Sequence, residues 1–344
     1  MLTRFTTWLG DRRKKRRGSQ LSPSRQDLPY TGVATQDDIF NCFRLLLGRH
    51  PHREEWKGHS GRAGEQLDGL VAGYLRSLEF ANRGLLASPA LNNPARVQIG
   101  EFSIYVMPDD LDVGRYVQSN NYEPDVTLVF KSLLRPGMGI LDVGANIGYF
   151  SMLSASLVGP SGFVLAVEPN PENARMLEAS RRLNGYKHVT IAQVAAGRST
   201  GLLALHVAQS NGTTSDPSSN LEALLAARTV PCIAIDHLIP AGQQIDLIKV
   251  DVEGAEYNAL LGCSDLISRD RPMIISEFSP DMMPGISGVS GEEYLRWILA
   301  RGYNIGVIRS DGTTLPATRE VDAIMAQYRA RGQDHIDFLA TPIP

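Results

Sequence analysis

Cysteine is scarce: Cys42, Cys232 and Cys263 are the only three in 344 residues. An odd, low count with no C-x-x-C or Cys/His spacing excludes a disulfide framework and argues against a structural zinc site. It fits a reducing compartment, and a cytoplasmic location is expected. Long apolar runs are missing too. No stretch reaches about 18 apolar residues, so no transmembrane helix is expected. The opening MLTRFTTWLG is short and interrupted by polar residues, so no secretion signal is expected either. Net charge is also small, −3 from 34 basic and 37 acidic residues. That removes the electrostatic case for nucleic-acid binding by the chain as a whole. Apolar material is ample, 43% against 21% charged, as in an ordinary globular chain. At ~150 residues per domain, the length suggests about two domains.

The charge is uneven. The run Arg12-Arg13-Lys14-Lys15-Arg16-Arg17, with Arg4 and against Asp11 alone, makes residues 1–17 +6. A Ser/Pro-rich stretch follows, so 1–30 reads as a basic, disordered tail. Phe5, Trp8 and Leu9 beside the basic run leave open contact with anionic lipid or a partner protein. Residues 31–90 read as a small all-α module. Thr35 can cap a helix whose apolar face is Ile39, Phe40, Phe43, Leu46 and Leu47. A second helix carries Leu67, Leu70, Val71, Tyr74, Leu75 and Leu78 at helical spacing. The runs F-x-x-L-L-L-G-R-x-P and Y-L-R-S-L-E-F resemble a short helical module that accompanies bacterial glycan-modifying and surface proteins, which implies docking. His50, His52 and His59 fit no metal template and are expected to be solvated. Residues 91–135 read as an entry segment, with strands around Val97–Val106 and a helix closed by Pro136-Gly137.

From 136 to 344, apolar runs alternate with helical stretches. Candidate strands are 139–144, 162–168, 188–195, 229–235, 246–252, 272–278, 303–309 and 335–341. Several are almost wholly apolar, as parallel strands covered on both faces must be. The fold class expected is therefore α/β: a Rossmann-like, doubly wound, mostly parallel sheet. The polar run 209–220, QSNGTTSDPSSN, reads as a long loop and a candidate lid.

The strongest chemical signal is ILDVGANIGYFSM, 140–152. A buried strand enters a turn in which Gly144 permits close approach to a ligand and Gly148 permits tight packing at a helix start. A dinucleotide fingerprint needs glycine where Asn146 stands, and Asp142 would repel a pyrophosphate. Asp142 suits a cationic ligand group. The D-x-G-x-x-x-G run resembles that of S-adenosylmethionine (SAM) methyltransferases. Glu168 ends the next candidate strand, where an acid can accept hydrogen bonds from ribose hydroxyls. Three carboxylates, Asp251, Glu253 and Glu256, crowd the end of a further strand, and Lys249 within that strand needs a partner. Glu253 and Glu256 also suit a helix N-terminus, whereas Asp251 is better placed for chemistry.

LDVGANIGYFS, VEPNPEN, IDLIKVDVEGAE and IISEF together resemble the FkbM-type methyltransferase family over roughly 115–340. The resemblance implies a class I SAM-dependent fold, usually O-methylation, and acceptors that are commonly sugar or polyketide hydroxyls. It assigns Asp142, Gly144, Asn146 and Gly148 to the methionine-side loop and Glu168 to the ribose. The QVAA run at 193–196 carries no acid, so adenine would be met by main-chain groups or Gln193. A hydroxyl acceptor calls for a general base: Asp251 first, Glu256 second, with His237 and Glu277 as further candidates. No metal is expected, although a divalent ion bridging Asp251, Glu253 or Glu277 is an alternative. A glycan or small-molecule acceptor and no nucleic-acid partner are expected. The competing readings are an NAD(P)-dependent oxidoreductase and a SAM-binding scaffold without turnover.

Overall fold

The computed structural model describes residues 32–85, 93–208, 210–215, 221–226 and 228–343, so the basic tail lies outside the described residues. The chain divides into two units, 1–92 and 93–344.

In the first unit, α1 (Gln36–Asn41) starts from a reciprocal cap. Asp38 N–H donates to Thr35 Oγ1, and Thr35 N–H donates to Asp38 Oδ2. The helix widens over Cys42–Leu47 and stops at Gly48, whose φ of +72° favours glycine. α2 (Arg53–His59), α3 (Leu67–Leu75) and α4 (Leu78–Asn82) follow. Ile39, Phe43, Leu47, Leu70, Tyr74 and Phe80 form a small core. The helix expected to run through Leu78 is two helices, because Ser77 caps α4 by accepting from Phe80 N–H. Leu75 and Leu78 are consequently exposed. His59 is not simply solvated: its Nδ1 lies 2.7 Å from the Tyr74 hydroxyl, and its ring meets Phe43 edge-on.

The second unit opens with a hairpin, β1 (Ala95–Ile99) and β2 (Phe102–Val106), then α5 (Gly114–Gln118) and α6 (Pro124–Leu133). The main sheet uses β3 (Gly139–Val143), β4 (Phe163–Val167), β5 (Val189–Ala192), β10 (Leu247–Val250), β11 (Met273–Phe278), β12 (Tyr303–Val307) and β13 (Ile336–Pro342). Its order is β12-β13-β11-β10-β3-β4-β5, parallel except for β13, which is antiparallel to both neighbours. The helices are α7 (Tyr149–Val158), α8 (Pro171–Asn184), α9 (Leu221–Ala226), α10 (Glu256–Leu261), α11 (Ser264–Asp270), α12 (Met283–Ile286), α13 (Gly291–Ala300) and α14 (Val321–Arg331).

Strand alternation divides the core between the two faces. Leu141, Val143, Leu165, Ile248 and Ile274 pack on one side; Ile140, Val164, Leu247 and Ile275 pack on the other. Asp142 and Lys249 fall in the second series, as buried polar interruptions paired in register. This matches the doubly wound sheet read from the apolar runs.

One strand went elsewhere. The 229–235 run forms β9 (Arg228–Ile233) in a separate four-stranded sheet with β6 (Ala195–Ala196), β7 (Gly201–Ala208) and β8 (Asn211–Ser215). Five residues of the expected 209–220 loop are therefore β8, antiparallel to β7.

Candidate active site

A cavity of about 640 Å³ lies beyond the carboxyl ends of β3, β4, β10 and β11. This is where open α/β sheets bind ligands, and the size suits a small-molecule site. Gly144 has a φ of +81°, and a Cβ there would come within 1.8 Å of the Asp251 carbonyl oxygen. Only glycine lets the β3 turn pass so close to the end of β10. Asn146 follows in the left-handed region, at φ +49°. Glu123 and Glu253 share that uncommon geometry and also line the cavity, and such strain concentrates at functional sites.

Glu168, 5% exposed at the tip of β4, is held on both oxygens. Its Oε2 accepts from Asn146 N–H at 2.8 Å, and Oε1 accepts from Asn170 N–H at 2.7 Å. Burial pushes this carboxyl up to about 7 against the pull of those two donors. The Asn146 amide also donates to the Ser210 carbonyl and to Asn211 Oδ1, which joins the β3 turn to the β7–β8 hairpin.

The opposite side of the cavity is rich in carboxyls. Lys249, buried in β10, donates to Asp251 Oδ2 at 2.6 Å and lies 4.7 Å from the centre of the Phe150 ring. Burial alone would raise the Asp251 carboxyl, but the adjacent ammonium overrides it and holds Asp251 below its usual value. Its neighbours have no hydrogen bond to a cation among the described residues. Burial and the Asp251 charge push Glu277 well above the ordinary range. Burial takes Asp337 up to about 7 and Glu123 up to about 8, the latter despite Lys249. Among the described residues, no group of three or more side chains is arranged to hold a metal ion.

Gly144, Asn146, Glu168 and Asp251 line the cavity together, as does Glu277. Other expected site residues do not. Asp142 sits behind the turn, 1% exposed, where Ser151 donates to it at 2.6 Å. It borders a separate small void and not the main cavity. Gly148 is a packing glycine: a Cβ would strike Leu177 at 2.1 Å. Glu256 cannot serve as the second base. It is fully buried, and its Oε1 accepts from Val252 and Gly254 N–H, so it pins the 251–255 turn from below. His237 occupies an exposed single turn, and Gln193 is exposed outside the cavity, which Ala195 and Ala196 line instead. Of the expected lid, Ser210 to Gly212 and Thr214 line the cavity as parts of a hairpin.

Glu123, Asp334, His335 and Asp337 were missed. Asp337 is carried in by β13, whose position beside β11 no local pattern reveals. Glu123 had a weak signal, a charge just before Pro124 at a helix start.

Gly144, Asn146 and the Glu168 carboxyl that holds their turn thus face a cavity lined by further carboxyls. The parallel sheet with its antiparallel strand next to the edge, and the D-x-G-x-x-x-G turn bonded to an acid on the following strand, are the arrangement of the class I methyltransferase fold. Residues 142–305 match the model of the FkbM methyltransferase domain, and that stretch of the chain is similar to this family. It is similar to a protein-L-isoaspartate O-methyltransferase of Aeropyrum pernix, 33% identical over 111 residues, 32% of this chain and 38% of the relative. It is also similar to protein-L-isoaspartate O-methyltransferase 2 of Arabidopsis thaliana, 24% identical over 197 residues, 56% of this chain and 60% of the relative. The chain thus spans about two to three fifths of the length of these curated relatives. Among solved structures, an FkbM methyltransferase of Methylobacillus flagellatus is 18% identical, with a TM-score of 0.40 over 87% of this chain and 58% of that one.

Proposed function

We propose that the second unit methylates a hydroxyl oxygen of a neutral acceptor, a sugar or small metabolite, with SAM as donor. One observation carries the acceptor class. The cavity wall opposite Glu168 presents Asp251, Glu253, Glu277, Asp334 and Asp337, with neither lysine nor arginine among the described lining residues. A phosphate or nucleotide acceptor would meet the Asp251 charge there and find no lysine or arginine to neutralise its own. A neutral polyol instead finds hydrogen-bond acceptors for its hydroxyls.

SAM supplies an already activated methyl group on sulfonium. The protein's work is therefore to position two reactants and to receive a proton. Gly144 and Asn146 shape the donor turn, Glu168 accepts from the ribose hydroxyls, and Ala195–Ala196 border the adenine end. Asp251 is the cavity-lining carboxylate kept ionised by a fixed cation, and it takes the acceptor's proton.

The test is transfer of labelled methyl from SAM to a panel of sugars and their phosphorylated counterparts. Turnover of an unphosphorylated sugar, lost on phosphorylation near the reacting hydroxyl, is expected. Transfer confined to phosphorylated acceptors would overturn the reading. The helical unit and the basic segment before it are proposed to dock a partner or an anionic membrane surface. Removing residues 1–17 should then weaken binding to anionic vesicles or partner while leaving SAM binding intact. The proposed location is the cytoplasm; among the described residues no helix is long and apolar enough to cross a membrane.

A further inference from the structure

Buried carboxyls outnumber buried cations along one row of the sheet. Residues two apart share a face, so Lys249 and Asp251 on the β10 line lie on one side. Beyond the Val250–Ser276 pair, the parallel register sets Asp251 beside Glu277. Glu277 in turn pairs directly with Asp337 on antiparallel β13. Asp251 and Glu277 both line the cavity, and Lys249 Nζ donates to Asp251 Oδ2 at 2.6 Å. Carboxyls crowded side by side in a buried row resist ionising together, so a proton held between neighbours relieves their repulsion. Ser279 Oγ donates to Glu277 Oε1 at 2.7 Å and fixes the outer acid.

Resting on the hydroxyl-methylation reading, we propose that the base is the Asp251–Glu277 pair sharing one proton, and that Lys249 is its positioning residue. Lys249 holds one Asp251 oxygen, Glu277 donates to the carboxylate, and the remaining lone pairs face the acceptor. In the transfer step, the acceptor oxygen forms its bond to the methyl carbon. The carbon–sulfur bond breaks with its electron pair going to sulfur, and the hydroxyl proton passes to Asp251. The pair goes from one proton to two and from one negative charge to none. One proton then returns to solvent. The groups facing the pair are Lys249 on its own strand, Asp142 on β3, Glu123 before α6, Glu253 and Glu256 beyond β10, and His335 and Asp337 at β13. A pair of this kind titrates in two macroscopic steps. Burial beside the Asp251 charge sets the upper step above the ordinary carboxyl range.

The experiment is the pH–rate profile of methyl transfer under saturating SAM for the wild type, Glu277→Gln, Lys249→Met, Lys249→Arg and Asp251→Asn, with SAM binding followed by calorimetry. The wild type should give a bell. Glu277→Gln should bind SAM within about twofold of the wild type, lose 10- to 100-fold in kcat near neutrality and lack the alkaline limb. Lys249→Met should move the acidic limb upward, and Lys249→Arg should restore it in part. An unchanged bell in Glu277→Gln, or an unmoved acidic limb in a folded Lys249→Met, overturns the pair. Should Lys249→Met not fold, the alkaline limb of Glu277→Gln decides alone. Full turnover by Asp251→Asn would instead sink the hydroxyl-base reading itself, so the two failures are distinguishable.

Discussion

Glu168 Oε2 accepts the backbone N–H of Asn146 at 2.8 Å, so the acid at the tip of β4 holds the turn that follows β3. The two halves of the proposed donor cradle are thus one hydrogen-bonded unit, and changing either should be felt by the other.

Glu168→Gln replaces one acceptor oxygen by a donor that cannot pair with Asn146 or Asn170 N–H. Hydrogen bonds to a charged group contribute about 1.5–3 kcal/mol. SAM affinity should fall 10- to 100-fold by calorimetric titration, with the fold intact by circular dichroism. An unchanged affinity would remove Glu168 from the donor site.

Gly144→Ala must displace the Asp251 carbonyl, and it places a side chain at φ +81°. A destabilisation of about 3 kcal/mol is expected from strain and backbone displacement together, with loss of SAM binding because the β10 end shifts. Gly148→Ala, which meets the Leu177 side chain, should cost stability while leaving more SAM binding in the folded fraction. Denaturant titration and calorimetry separate the two.

Stability should fall as pH rises. Burial raises Glu168, Glu256 and Asp337 to about 7, and Glu123 to about 8. Each has a folded value above its unfolded one, so the folded state binds more protons between about pH 4.5 and 8. The stabilisation is full below the unfolded value and is lost as pH climbs through 7 and 8. The melting temperature of the ligand-free protein should drop by roughly 5 °C between pH 5.5 and 8.5. A rise over that interval would show these carboxyls to be ionised in the fold.

How much of this was legible in the sequence depended on locality. Ile140, Leu141 and Val143 read as a strand buried on both faces because they are; Glu168 was legible because it ends the next such strand. Asp251 beside Lys249 was legible as a crowded charge seeking a partner. Glu256 misled, since an acid four residues after a strand looks alike whether it faces a cavity or pins a turn from beneath. β8 was missed because Asn211, Gly212 and Thr213 form a strand by pairing with β7, not by apolar content. Asp337 reaches the site through strand order, a long-range property.

In the first unit, Arg49 is the hub. It forms a two-pronged pair with Glu55 at 2.7 and 2.8 Å, bonds Glu79 and lies 5.1 Å from the Phe43 ring centre. The groups are partly exposed, so Arg49→Ala should cost only about 1–2 kcal/mol. Arg49→Lys should recover less than half, because it loses the fork. Thermal melts of the full chain test this; equal stability of the alanine variant would show the network to be dispensable.

The most direct test of the whole account is hydrogen exchange followed by mass spectrometry, with and without SAM. Slowed exchange at peptides covering Gly144–Ile147 and Glu168–Asn170, reproduced by the demethylated product, is the predicted result. Absence of any SAM-dependent slowing at those two strand tips would contradict the claim that the methyl donor lies across them.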